Sequence, residues 1–277
     1  DLFRRGSCAS KLRGHTDSVL CIAIDNLGRE ALSGGNDRCL LHWDLERCEA
    51  IRCFRGHSDS VRCLDVHWSS RRALSGSFDR SLLLWDLSEG RQLLSLKGHT
   101  RWVCCAAVDW SSQIALSGSL DHTLRLWDLR TGTATSELHG HTDAVWCAVL
   151  DLASSRAISG SGDKTVRVWD LVDCACIQVL VGHDDSVRCM AFDAASQRVW
   201  TGSFDSTLLL WDLRHDGWVQ ELEGHSKGVT SLAVDWDCQY ALTGSDDNSL
   251  RWWDLKSGKT KLVLKHHAGA VLCLAMR

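Results

Sequence analysis

The dipeptide Gly-His recurs at Gly14-His15, Gly56-His57, Gly98-His99, Gly140-His141, Gly182-His183 and Gly224-His225, each copy 42 residues after the last. Trp-Asp keeps the same clock at Trp43-Asp44, Trp85-Asp86, Trp127-Asp128, Trp169-Asp170, Trp211-Asp212 and Trp253-Asp254. A seventh copy of the first dipeptide stands at His266-His267, with His in place of Gly. A period of this size means one small supersecondary unit, copied, whose apolar face is buried only against its neighbours. The period therefore organises the chain more firmly than its length of 277 residues, and residues 1–277 are read as a single domain.

Within the unit, the apolar run Val103 to Val108 follows Gly98-His99, and a Ser-Ser turn leads to a second run, Ile114 to Ser117. A tight turn at Leu120-Asp121-His122 precedes a third run, Leu124 to Trp127, and Arg91 to Leu96 supplies a fourth before the Gly-His. Short runs separated by turn signals every 8 to 12 residues predict antiparallel strands, and four of them per 42-residue unit predict one blade of a β-propeller. No stretch keeps a helical period, and no apolar run reaches the roughly 18 residues that a spanning helix needs.

Gly-His and Trp-Asp at this separation resemble the WD40-repeat β-propeller family, and the resemblance covers essentially the whole chain. It implies an all-β, seven-bladed propeller of four-stranded antiparallel blades, the last blade incomplete. It also implies a hydrogen-bonded set in each blade that joins a Trp indole, a Ser or Thr, the His and a turn Asp. Those sets are Trp43, Ser33, His15 and Asp37; Trp85, Ser75, His57 and Asp79; and Trp127, Ser117, His99 and Asp121. The remaining three are Trp169, Ser159, His141 and Asp163; Trp211, Thr201, His183 and Asp205; and Trp253, Thr243, His225 and Asp247.

Ser, His and Asp in one line is also the vocabulary of nucleophilic catalysis. A catalyst needs one exposed nucleophile beside an oxyanion site, whereas these sets recur six times with the hydroxyl inside a strand. They are read as structural, and no catalytic residue is expected. The 14 cysteines yield to the same logic: Cys21, Cys63, Cys105, Cys147, Cys189 and Cys273 share one phase of the repeat, with Ser231 filling the gap. A residue recurring at one phase is placed by packing, so these are expected as reduced, buried thiols in an intracellular protein, cytoplasmic or nuclear. Neither Cys174-x-Cys176 nor Cys104-Cys105 has a zinc spacing, so no metal or other cofactor is expected.

Closing the ring predicts a seventh blade built from Ser7 to Leu12 as its outer strand and Ala270 to Met276 as its inner one. On the 42-residue clock its Trp would fall at position 295, which is 18 residues beyond Arg277, so the chain reads as a segment of a longer array. The absence of proline agrees with loops that use Ser-Ser and Gly throughout.

In the resembled family, partners dock on the face that carries the turn before Trp-Asp and the loop after Gly-His. At the corresponding positions the repeats differ from one another, and Phe78, Trp102, Leu120, Trp146, Phe204, Arg62 and Arg188 gather on the second to fifth units. Aromatics and Arg at such positions make interface hot spots, so the chain is expected to be a non-catalytic scaffold for a protein or peptide, monomeric within a longer chain. Phe78 and Phe204 stand in Ser/Thr-Gly-Ser-Phe-Asp, which resembles the setting of a Phe that grips an inserted Arg in some histone-reading propellers. Trp68, Trp110 and Trp236 would lie on the opposite face, and Trp200 in the core.

Two alternative functions also rest on resemblance. Trp127 to Arg130 and Trp211 to Arg214 are similar to the Trp-Asp-x-Arg signature of substrate receptors in cullin-RING ubiquitin ligases. Uniform repeats are similar to the C-terminal sensor arrays of NACHT-type signalling NTPases, which a Gly-x4-Gly-Lys-Ser/Thr motif upstream in the parent gene would reveal. A net charge of −4 without a basic stripe argues against a nucleic-acid partner.

Overall fold

The computed structural model describes residues 10–215 and 217–276. Their strands form six separate four-stranded antiparallel sheets, one per repeat. The first blade holds β1 (Val19–Ile24), β2 (Glu30–Gly35), β3 (Cys39–Asp44) and β4 (Glu49–Arg55). The second holds β5 (Val61–His67), β6 (Arg72–Ser77), β7 (Ser81–Asp86) and β8 (Arg91–Lys97). The third holds β9 (Val103–Asp109), β10 (Ile114–Ser119), β11 (Leu124–Asp128) and β12 (Thr133–Leu138). The fourth holds β13 (Val145–Asp151), β14 (Arg156–Ser161), β15 (Thr165–Asp170) and β16 (Ala175–Val181). The fifth holds β17 (Val187–Asp193), β18 (Arg198–Ser203), β19 (Leu208–Asp212) and β20 (Trp218–Leu222), and the sixth β21 (Val229–Asp235), β22 (Tyr240–Ser245), β23 (Leu250–Asp254) and β24 (Lys259–Leu264).

The innermost strands β1, β5, β9, β13, β17 and β21 neighbour one another in that order and surround a central channel. Burial follows from this layering. The second strand of each blade is almost wholly buried between neighbours and the third mostly so, except in the sixth blade, where β23 buries only Trp253, whereas the outermost strands are largely exposed. Each interior layer mixes residues of two successive blades, as where Leu40 and Phe54 of the first pack with Val61, Leu83 and Trp85 of the second. Trp200 is buried in such a layer between the fifth and sixth blades. Among the described residues, no helix is long and apolar enough to cross a membrane.

Close approach between blades fixes one residue type. A Cβ added at Gly160 would lie 2.5 Å from Cγ1 of Val187 and 2.8 Å from Sγ of Cys147, closer than real carbon contacts allow. The central glycine of each second strand thus keeps a gap that the next blade's first Val fills, or, at Gly244 of the sixth, Val271 of the closing segment. Gly160→Ala is expected to destabilise the fold by about 1–3 kcal/mol through overpacking. Thermal unfolding reads the effect, and a melting temperature equal to that of the parent protein would contradict it.

The seventh blade is a correction to the sequence reading, because the structure has six blades. Residues 7–9 lie outside the described residues; Ser10, Lys11 and Leu12 carry no strand, and neither does the stretch from Ala270 to Met276. A ladder needs a neighbouring strand, and no described residue offers one to either segment. The second segment nevertheless lies against the sixth blade, where Val271 N–H donates to Ser245 O at 3.1 Å and Thr230 Oγ1 donates to Val271 O. It reaches the first blade through Cys273 Sγ, 3.8 Å from Val19 O. The same contact joins successive blades where Cys21 Sγ meets Val61 O at 3.8 Å and Cys147 Sγ meets Val187 O at 3.9 Å. Among the described residues, the ring is therefore closed by one segment that forms no strand ladder.

Candidate partner-binding face

All six Trp–Ser/Thr–His–Asp sets form one chain of hydrogen bonds each. The indole Nε1 donates to the Ser or Thr hydroxyl at 2.7–2.8 Å. That hydroxyl donates to His Nε2 at 2.7–2.8 Å. His Nδ1–H then donates to the turn Asp at 2.7–2.9 Å. Since the carboxylate only accepts, the proton of each neutral imidazole belongs on Nδ1. The hydroxyls are no more than 3 % exposed and are engaged on both sides, so the sets brace blades and have no reach to a substrate.

Burial is the largest single influence on the turn aspartates and favours the neutral acid. The His, the hydroxyl two residues after the Asp (Ser81, Thr123, Thr165, Thr207 and Ser249 respectively) and backbone N–H groups together outweigh it and hold Asp79, Asp121, Asp163, Asp205 and Asp247 well below the usual carboxylate range. At Asp37 burial again opposes, and His15 with the backbone N–H groups of Thr16 and Cys39 lowers it without a hydroxyl. Burial also depresses His141 and His225, more than their aspartates raise them.

The turns carrying these aspartates share a face with the loops after Gly-His, because their backbones are bonded. Phe78 N–H donates to Ser60 O at 3.0 Å, Leu120 to Trp102 at 2.9 Å and Phe204 to Ser186 at 2.9 Å. On that face the seven residues singled out by sequence fall into two groups and two single positions. Phe78 of the second blade stacks on Trp102 of the third, ring centroids 4.1 Å apart and 12° from parallel. Trp102 stays 41 % exposed. In the other group, the Arg188 guanidinium lies 3.7 Å from the Trp146 centroid and 4.3 Å from that of Phe204, sandwiched between blades four and five. Leu120 is a single position on the turn between the groups, and Arg62 is the other, across the channel, donating to Leu20 O at 3.3 Å.

Both rings of the Ser/Thr-Gly-Ser-Phe-Asp pattern are thus occupied by the chain itself: Trp102 covers Phe78 and Arg188 covers Phe204. An arginine from outside would have to displace one of them. On the opposite face, Arg214 forks onto Asp212 through Nε and Nη2, and Arg130 Nη2 donates to Ser112 O at 2.7 Å. There the tryptophans tie blades together. Trp68 Nε1 donates to Ile24 O at 3.1 Å, and Trp110 Nε1 to Asp65 Oδ1 at 2.8 Å.

Asp65 escaped the sequence reading. It stands where the other repeats have Ala23, Ala107, Val149, Ala191 and Ala233, and that break in the pattern was its signal. It also accepts from Val108 N–H at 2.9 Å, and burial raises its pKa.

The channel, about 280 Å³, is lined by Cys21, Cys63, Cys105, Cys147, Cys189 and Cys273. Burial pushes the Cys189 thiol up to about 12, so it stays protonated. Among the described residues no three His, Cys, Asp or Glu side chains are grouped to hold a metal ion.

Sheets of this kind, braced by buried His–Asp pairs around a channel with an aromatic and arginine face, define a repeat-built β-propeller. Six segments, residues 6–44, 48–86, 90–128, 132–170, 174–212 and 217–254, match the WD domain, G-beta repeat. The chain belongs to the WD40 family. No curated protein matches it.

Proposed function

We propose that the protein is a non-catalytic interaction scaffold that binds a protein or peptide partner on the face carrying Phe78, Trp102, Leu120, Trp146, Phe204, Arg62 and Arg188. The observation that carries this reading is the pair of stacks, Phe78 on Trp102 and Arg188 between Trp146 and Phe204, carried on one face. Rigid aromatic groups there bury much area on binding at little cost in side-chain entropy. Propellers of this family are generally scaffolds, which agrees with the structural role of the His–Asp sets. An intracellular setting, cytoplasmic or nuclear, suits thiols packed as small apolar groups.

Partner capture by the Trp102→Ala/Trp146→Ala double variant is the test. Loss of two central anchors of about 2 kcal/mol each should weaken a partner identified with the parent protein by a hundredfold or more. The far-ultraviolet circular dichroism should be unchanged. Undiminished capture by the folded variant overturns the reading.

A further inference from the structure

Among the described residues, each of β4, β8, β12, β16, β20 and β24 ends its sheet and pairs on one side only. The free side of such a strand offers backbone N–H and C=O groups to any other strand, and proteins blunt it with charged side chains. Five of these six edges are blunted in that way. β4 carries Glu49, Arg52 and Arg55, β8 carries Arg91 and Lys97, β12 carries Glu137, β20 carries Glu221, and β24 carries Lys259 and Lys261. β16 has no charge at all. It reads Ala-Cys-Ile-Gln-Val-Leu-Val, and the flanking Cys174 and Gly182 are uncharged as well.

Burial alternates along β16, which divides its side chains between two faces. Leu180 is buried, whereas Ile177, Val179 and Val181 share the open face and are 49 %, 45 % and 72 % exposed. An uncharged run of β-branched residues without proline is the composition of a strand that pairs, not of one left in water. The apolar patch continues into the next blade. Trp218 of β20 is 48 % exposed and lies against Gly182, where a Cβ would stand 2.8 Å from Trp218 Cδ1.

Charge selects the occupant. In a two-fold antiparallel pairing centred on Gln178, Ile177 of one copy stands opposite Val179 of the other, and Ala175 stands opposite Val181. The β-branched side chains of both copies then meet on the open face. The same operation on β8, centred on Leu94, sets Arg91 opposite Lys97, and these repel. Only at β16 is self-pairing free of charged side chains.

We propose that two copies of the protein associate edge to edge through β16, joining their fourth blades into one continuous antiparallel sheet. The sequence reading expects a monomer, and the uncharged free edge is what argues against it. β16 and β13, which carries Trp146, are the opposite ends of one blade. The contact therefore leaves the aromatic face open, and a dimer presents that face twice.

Sedimentation velocity of the parent protein over a dilution series tests the proposal. A reversible monomer–dimer equilibrium in the micromolar range is expected, since one strand pair is a small interface. Ile177→Lys/Val179→Lys sets like charges across the two-fold axis and should weaken the dimer at least a hundredfold. Its melting temperature should stay near that of the parent protein, because both side chains are already half-exposed. Val181→Lys alone should weaken the dimer at least tenfold and keeps the test valid if the double variant does not fold. Val263→Lys, at an exposed position on β24, should leave the dimer unchanged. A parent protein that stays monomeric throughout the series overturns the proposal, whatever strand of another protein adds to β16. A dimer that survives the folded β16 variants, or that Val263→Lys weakens as much as they do, overturns it too.

Discussion

Replacing His141 by Ala should lower the stability of the whole propeller by about 3 kcal/mol, the sum of two lost hydrogen bonds and the cost of buried groups left without partners. In the intact blade, His141 accepts from Ser159 at 2.8 Å and donates to Asp163 at 2.8 Å, with both ring nitrogens out of water. Without the imidazole, Ser159 keeps the Trp169 indole as a donor but has nothing to donate to, and Asp163 keeps backbone and Thr165 donors only. A cavity against Trp169, whose ring lies 5.7 Å from that of His141, adds to the loss. For a domain of this size the change amounts to roughly ten degrees in melting temperature. The transition should remain single, because each blade's core is shared with the next. A cycle with Trp169→Phe gives the sharper reading: coupled members of one network cost less together than the sum of their separate losses. An unchanged melting temperature for His141→Ala would refute the structural role assigned to these sets.

Most of this fold was legible in one dimension, for a physical reason. A repeat of fixed length places each of its residues in the same environment, so six copies of Trp, Ser or Thr, His and Asp at constant offsets specify one three-dimensional arrangement six times. The same argument placed Cys21 and its five counterparts as packing groups. It failed at the ends. Val271 and Cys273 have the residues of an inner strand and occupy its position, yet they are not a strand, because strand character depends on a partner that residue identity does not supply.

The candidate face was legible only as single residues. Sequence offsets mark Trp146, Arg188 and Phe204 each as a surface position, but not that Arg188 of one blade leans over Trp146 of the blade before it and under Phe204 of its own. That grouping depends on distances between blades, to which the repeat pattern is blind. The pairing also changes what the face would recognise. Read singly, Phe78 and Phe204 point to a basic ligand; with both rings covered from within, that signal is lost.

Acid should unfold the protein in two stages. His141 and His225 are held below the ordinary histidine range by burial, so below about pH 6.5 the unfolded chain takes up protons there that the folded chain refuses. Stability therefore begins to fall as pH drops through that value. The larger loss comes from the turn aspartates Asp37, Asp79, Asp121, Asp163, Asp205 and Asp247, all depressed in the folded state. A depressed carboxylate contributes stability that is fully present above its unfolded pKa and lost as pH falls through the folded one. Near about pH 3.9 each binds roughly half a proton more when unfolded, so six together give a slope of about 4 kcal/mol per pH unit. Asp65 works in the opposite direction, since burial raises its pKa and its folded form gains protons first, but it is one group against six. The balance still favours acid unfolding. Melting temperature followed from pH 8 to pH 3 should hold level above about pH 7, decline gently below it and drop steeply under about pH 4.5. A profile flat down to pH 4 would mean that the six carboxylates are not held by their histidines and neighbouring donors, and the account of what braces each blade would fall with it.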